Sequence, residues 1–179
     1  MGPLVPLHPP GDLPLVAPHL DAEAEDAVLQ RMEVEDTEGV RSLPGACELL
    51  NALPRDRWAL VTSCARPVAL ARMAAAKLPL PAKAVFGDLV ANGKPAPDPF
   101  LLGAKLLGEP ADQCVAFEDT QSGVDSAIAA GMRTIGVGRL PLRGIVASIP
   151  DLLRVQSRVL PDGSVELQID SSSDCSHLA

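Results

Sequence analysis

Four short apolar runs recur along this chain: Trp58–Val61, Ala84–Phe86, Cys114–Phe117 and Thr134–Val137. Helical patterns stand between them. Arg66–Leu78 carries Val68, Leu70, Met73 and Ala76 on one face, Asp98–Leu107 begins after Pro97, and Gln121–Ala130 closes at Gly131. A further helix opens after Pro44-Gly45 and runs through Leu53. Strands this short, alternating with helices, call for right-handed βαβ crossovers and a parallel sheet. With one Trp, three Phe and no Tyr, the core has to come from Leu, Val, Ile and Ala, the content of a parallel sheet buried under helices on both faces. The expected fold class is therefore α/β, and 179 residues make one domain with one ordinary core.

The ends of the chain break this rhythm. Residues 1–18 hold six prolines and no periodicity, which predicts an extended leader. Residues 19–42 form an acidic helical segment, with Ala24, Ala27, Val28 and Met32 spaced as one apolar face and its carboxylates read as a solvated surface. Near the other end, Arg154–Leu160 and Ser164–Ile169 flank Pro161-Asp162-Gly163, a hairpin signal. Residues 171–179 read as a disordered tail.

A net charge of −8 with scattered Lys and Arg argues against nucleic-acid or anionic-membrane partners, which demand clustered cations. Cys47, Cys64, Cys114 and Cys175 lie far apart without a CxxC, as reduced thiols do. No Lys or Arg precedes Arg31, prolines interrupt the N-terminal apolar stretch, and Pro6 stands where a myristoylation signal wants Ser or Thr. No run approaches a membrane span. A cytoplasmic protein is expected.

Open parallel sheets bind ligands outside the carboxyl ends of their strands. Thr62 and Ser63 end the first run ahead of a helix, where hydroxyls and free N–H groups can hold a phosphate oxygen. Glu118 and Asp119 end the third, and paired carboxylates beside a phosphate suit Mg²⁺. Between them Lys94 sits in the proline-stiffened Gly93-Lys94-Pro95-Ala96-Pro97-Asp98 loop, a point charge suited to phosphate. Taken singly, each has a plain structural alternative: Thr62 as a helix cap, Lys94 as a solvated loop lysine, Glu118-Asp119 as another cap. Their order, each tied to one sheet, makes the set specific.

The strings WALVTS, GKPAPDPFLLGAKLLG and CVAFEDTQSGVDSAIAAGMRTIGV resemble motifs two, three and four of the haloacid dehalogenase superfamily. LLNALPRDRWALVTS and SIPDLLRVQSRVLPDGSVELQID are similar to the fungal-type glycerol-3-phosphatase and 2-deoxyglucose-6-phosphatase group. The resemblance runs from about Leu43 to Ile169. It implies a Rossmann-like core over 43–170, with 19–42 as the remnant of a helical cap. It also implies Mg²⁺-dependent hydrolysis of a small phosphorylated metabolite, a polyol or sugar phosphate. By motif, Thr62 and Ser63 would bind the phosphoryl group, Lys94 would neutralise its charge, and Asp119 with Glu118 would hold Mg²⁺.

The family's first motif, an apolar strand ending in DxDGT, has no match. Asp12 is followed by Pro14, Asp21 lies in a helical pattern, and Asp36 has no strand before it. The nucleophile and its acid–base partner are therefore missing, and so is the central strand, which implies an N-terminally truncated, impaired phosphatase. The alternative is a non-catalytic remnant that binds phosphate, Mg²⁺ or a protein partner. A phosphoacceptor signalling domain needs an early acidic strand end, which is also missing.

Overall fold

The computed structural model describes residues 21–170; the leader predicted over 1–18 and the tail predicted over 171–179 lie outside the described residues. In chain order the elements are α1 (Ala22–Glu35), α2 (Ala46–Ala52), β1 (Leu60–Val61), α3 (Arg66–Ala75), β2 (Ala84–Val85), α4 (Asp98–Leu107), β3 (Val115–Glu118), α5 (Gln121–Ala129), β4 (Arg133–Val137), β5 (Ala147–Ile149), β6 (Val155–Val159) and β7 (Val165–Ile169). β1 and β2 pair in parallel, β3, β4 and β5 form a second parallel sheet, and β6 with β7 makes an antiparallel hairpin. The class is α/β, as the alternation of runs and helices predicts.

Period-two alternation along β3 sends its side chains to two separate cores. Ala116 joins Phe100 and Ala104 of α4 with Ala127 of α5, Ala130 just past its end and Met132, and Val61 of β1 packs against the same group. Val115 and Phe117 point the other way. They meet Ile135 and Val137 of β4, Ile149 of β5, Leu49 of α2 with Leu53 just past its end, and Val155, Leu167 and Ile169 of the hairpin. The second face of the sheet is thus covered by one short helix and the hairpin together. The Leu152 N–H donates to the Pro44 carbonyl at 2.9 Å, tying the approach to α2 to the approach to β6.

The strands expected in one parallel sheet form two, because no hydrogen-bonded ladder joins β1 or β2 to β3, β4 or β5. β5 is not signalled by strand–helix alternation, because residues 138–146 between β4 and β5 contain no helix. It pairs in parallel all the same, Ile135 opposite Ala147 and Val137 opposite Ile149. The apolar face expected on α1 is also not a buried face. Ala24, Ala27, Val28 and Met32 are exposed, Met32 at 60%, while Glu25, Asp26, Gln30, Glu33 and Val34 are half-buried. α1 packs against α3, and the half-exposed Arg72–Glu33 ion pair at 3.1 Å joins the two helices. Smaller differences lie at element ends. The helix predicted over Arg66–Leu78 stops at Ala75, where Leu78 N–H closes onto the Met73 carbonyl at 3.0 Å.

Candidate functional site

β1 is only two residues long, so its position is set by what binds its two edges. Leu60 N–H donates to the Lys83 carbonyl at 3.1 Å and Thr62 N–H to the Val85 carbonyl at 3.0 Å. Alternation along a strand then turns the Val61 carbonyl to the opposite edge, away from β2. There it accepts from Lys94 Nζ at 3.1 Å. The same ammonium pairs with Glu118 Oε1 at the end of β3. One lysine therefore joins the carboxyl ends of β1 and β3.

Lys94 and Glu118 are among the most enclosed charges of the molecule, their side chains 11% and 7% exposed. Removing two ions from water is expensive, and mutual attraction offsets that cost only when the remaining hydrogen-bonding capacity is also used. Here it is used. Beyond the Val61 carbonyl, the ammonium stands 5.0 Å from the centroid of the Phe100 ring, a cation–π contact. Glu118 Oε2 accepts from the Thr120 hydroxyl at 3.3 Å. Thr120 in turn accepts from Gly123 N–H at 3.1 Å, capping α5 as an N-cap threonine does.

Gly123 explains why the third strand end and α5 can sit so close. A Cβ at that position would overlap the Glu118 carboxylate, so any larger residue would push the carboxylate from its place. Gly87 plays the same part after β2, where a Cβ would overlap the Ser63 carbonyl. Ser126 of α5, completely buried, donates to the Ala96 carbonyl at 2.5 Å and fastens the proline loop that carries Lys94. Neither Ser126 nor Gly87 stood out in the sequence, because their role is to let distant backbones touch; Gly123 is part of the FEDTQSG string that carries the resemblance. The glycine four residues after Asp119 in FEDTQSG was the available signal.

The predicted residues are thus placed as follows. Thr62 is half-buried, and its hydroxyl oxygen accepts from Cys64 N–H at 3.1 Å, which leaves the hydroxyl proton free to donate. Ser63 is exposed. Lys94 joins Glu118 to the Val61 carbonyl, one residue before Thr62. Asp119 is exposed, and its carboxylate has no hydrogen bond or ion pair among the described residues. No group of three or more His, Cys, Asp or Glu side chains able to hold a metal ion occurs among the described residues. Hard oxygen donors at this end are the Asp119 carboxylate and the backbone around it. No two aspartates in the whole chain stand two residues apart. Among the described residues no helix is long and apolar enough to cross a membrane.

The haloacid dehalogenase-like hydrolase family matches residues 11–131. Hexitol phosphatase A of Escherichia coli (strain K12) is 46% identical over 119 residues, covering 65% of this chain and 55% of that protein. Glycerol-1-phosphate phosphohydrolase 1 of Saccharomyces cerevisiae is 34% identical over 128 residues, covering 64% of this chain and 51% of its own length. The chain spans about half the length of these curated relatives. Among solved structures, CbbY from Rhodobacter sphaeroides in complex with xylulose-(1,5)bisphosphate superposes with a TM-score of 0.67 at 26% identity, over 75% of this chain and 65% of that one.

Proposed function

This chain belongs to the haloacid dehalogenase-like hydrolases, and from that membership we propose that its strand-end site receives the phosphoryl group of a small phosphorylated polyol or sugar. The observation that carries the reading is the Lys94 ammonium, held between the Val61 carbonyl and the Glu118 carboxylate at the mouth of two strands. A fixed cation on the carbonyl of Val61, one residue before the hydroxyl of Thr62, supplies the kind of charge and donor that a phosphoryl oxygen needs. Phosphatases acting on hexitol and glycerol phosphates among the relatives support the substrate class.

The donor set fits Mg²⁺ in part. Mg²⁺ takes one or two carboxylates and completes its shell with phosphate oxygens and water. Asp119, exposed and unpaired, would hold it; Glu118, the second ligand that the resemblance implies, already has both oxygens engaged. A bound Mg²⁺ would supply charge neutralisation on the phosphoryl oxygens. Thr62 orients the group, Ser63 lies beside it at the open rim, and Lys94 offsets its charge. α1 reads as part of a helical cap, and the free thiols of Cys47, Cys64 and Cys114 suit a cytoplasmic protein.

Hydrolysis by the family's covalent route also needs an attacking carboxylate; Thr62 and Lys94 offer none, and Asp119 is the carboxylate assigned to the metal. The absence of a DxD pair from the sequence favours a second reading, a phosphate- and Mg²⁺-binding domain without turnover. Calorimetry with inorganic phosphate in the presence of Mg²⁺ tests the binding step common to both. Binding that is lost in Lys94→Met supports it, and no binding to the unaltered chain sinks it. Mg²⁺-dependent phosphate release from glycerol phosphate, abolished by Lys94→Ala, separates the enzyme from the binding domain.

A further inference from the structure

We infer that Glu118 is a positioning residue for Lys94 and not a ligand of the metal, so that Asp119 is the only side chain of the acidic pair turned to the cation. The inference deepens the phosphate reading and rests on it for the purpose that Lys94 serves. Its grounds are geometric. Glu118 Oε1 is taken by the Lys94 ammonium and Oε2 by the Thr120 hydroxyl at 3.3 Å. The carboxylate is 7% exposed and lies against Gly123, where a single added carbon would displace it. A carboxylate paired with a cation and a hydroxyl and pressed against a helix backbone offers no open approach for a hydrated ion that gives up its water reluctantly. One residue later, just past the end of β3, Asp119 is exposed, with no hydrogen bond or ion pair among the described residues.

The arrangement also explains why a strongly hydrated ammonium stays at the sheet end. Without Glu118, Lys94 would keep only one carbonyl and one ring face as partners, too little to hold a compact, strongly hydrated charge out of water. The side chain would swing into solvent, and the bridge between β1 and β3 would open. Glu118 thus acts on the phosphate through Lys94, without touching either the substrate or the metal.

The test reads lysine reactivity residue by residue, by acylation and mass spectrometry, on the metal-free chain. Lys94 in the unaltered protein reacts more slowly than the exposed Lys77 and Lys105. Glu118→Gln raises the Lys94 rate severalfold and leaves Lys77, Lys83 and Lys105 unchanged, whereas general loosening would raise all four. Asp119→Asn leaves Lys94 as it was. Magnesium chloride calorimetry gives the complementary arm: Asp119→Asn weakens Mg²⁺ by about tenfold or more, the cost of losing a metal partner, while Glu118→Gln stays close to the unaltered chain. Equal Mg²⁺ losses in the two variants, or an unchanged Lys94 rate in Glu118→Gln, would overturn the inference. Should Glu118→Gln not fold, Thr120→Val removes only the hydroxyl on Oε2. A partial rise at Lys94 is then expected, and no rise counts against the inference. Failure of inorganic phosphate to bind the unaltered chain sinks the phosphate reading alone and leaves the acylation result to decide the role of Glu118.

Discussion

β1 and β2 are two residues each, with Leu60, Val61 and Ala84 only half-buried, whereas β4 runs over five residues and buries all but Arg133. The first pair carries Thr62 and Ser63; the sheet of β3, β4 and β5 carries Glu118 and Asp119. On the larger side, the ladder and two opposed cores fix the strand ends. On the smaller side, the strand end is placed by borrowed partners: the Lys94 ammonium on the Val61 carbonyl and the Phe100 group against the Val61 side chain. A site can therefore be built across two sheets that share no hydrogen-bonded ladder, provided that one helix and one buried cation belong to both.

The sharpest way to break this picture is Phe100→Ala. Phe100 lies in the core that reaches Val61 and also faces the ammonium, so its loss should cost about 4 kcal/mol, as buried aromatic truncations do. Urea unfolding measures the cost, and hydrogen exchange at the Thr62 amide should accelerate more than exchange along β4. Next in size is a direct contrast of the two sides. Ile135→Ala in the buried sheet should cost about 3 kcal/mol, and Val61→Ala on the half-buried strand about 1 kcal/mol. Similar costs would erase the difference between the regions.

Thr120→Ala comes third. It removes the α5 cap and the hydroxyl on Glu118 and should cost about 1 kcal/mol, with any loss of phosphate affinity following Lys94 and not the fold. The smallest effect lies away from both regions, in the hairpin turn. The Ser164 hydroxyl and then the Ser164 backbone N–H hold the Asp162 carboxyl below its ordinary value. A depressed folded value means that its contribution is present above the unfolded value and is lost as pH falls through the folded one. The hairpin amides should therefore shift only in acid, below about pH 4, and Ser164→Ala should move that transition upward in an NMR titration.

Much of the scaffold was legible locally. α4 spans Asp98–Leu107 as its pattern predicts, opening after Pro97 and ending at Gly108. β3, α5, β4 and the hairpin around Pro161-Asp162-Gly163 follow in the same way. These elements carry their own punctuation: a cap, a breaker, a turn, an apolar run. β5 carries none, since no helix precedes it, and only pairing with β4 makes Ala147–Ile149 a strand. The facing of α1 failed for a related reason. Its apolar spacing is real, but burial depends on which neighbour arrives, and the neighbour is α3 with Arg72 reaching for Glu33.

The site divides along the same line. Residue type and order alone determined that a hydroxyl and two acids stand at strand ends with a lysine in the proline loop between them, because each choice is made within a few residues by propensity and turn chemistry. Only the tertiary structure decided that Lys94 spends its charge on Glu118 and on the Val61 carbonyl, 24 and 33 residues away, while Asp119 is left open. Adjacent residues on a strand face opposite ways, and which of two neighbouring carboxylates meets the cation is settled by packing between elements, not by spacing along the chain.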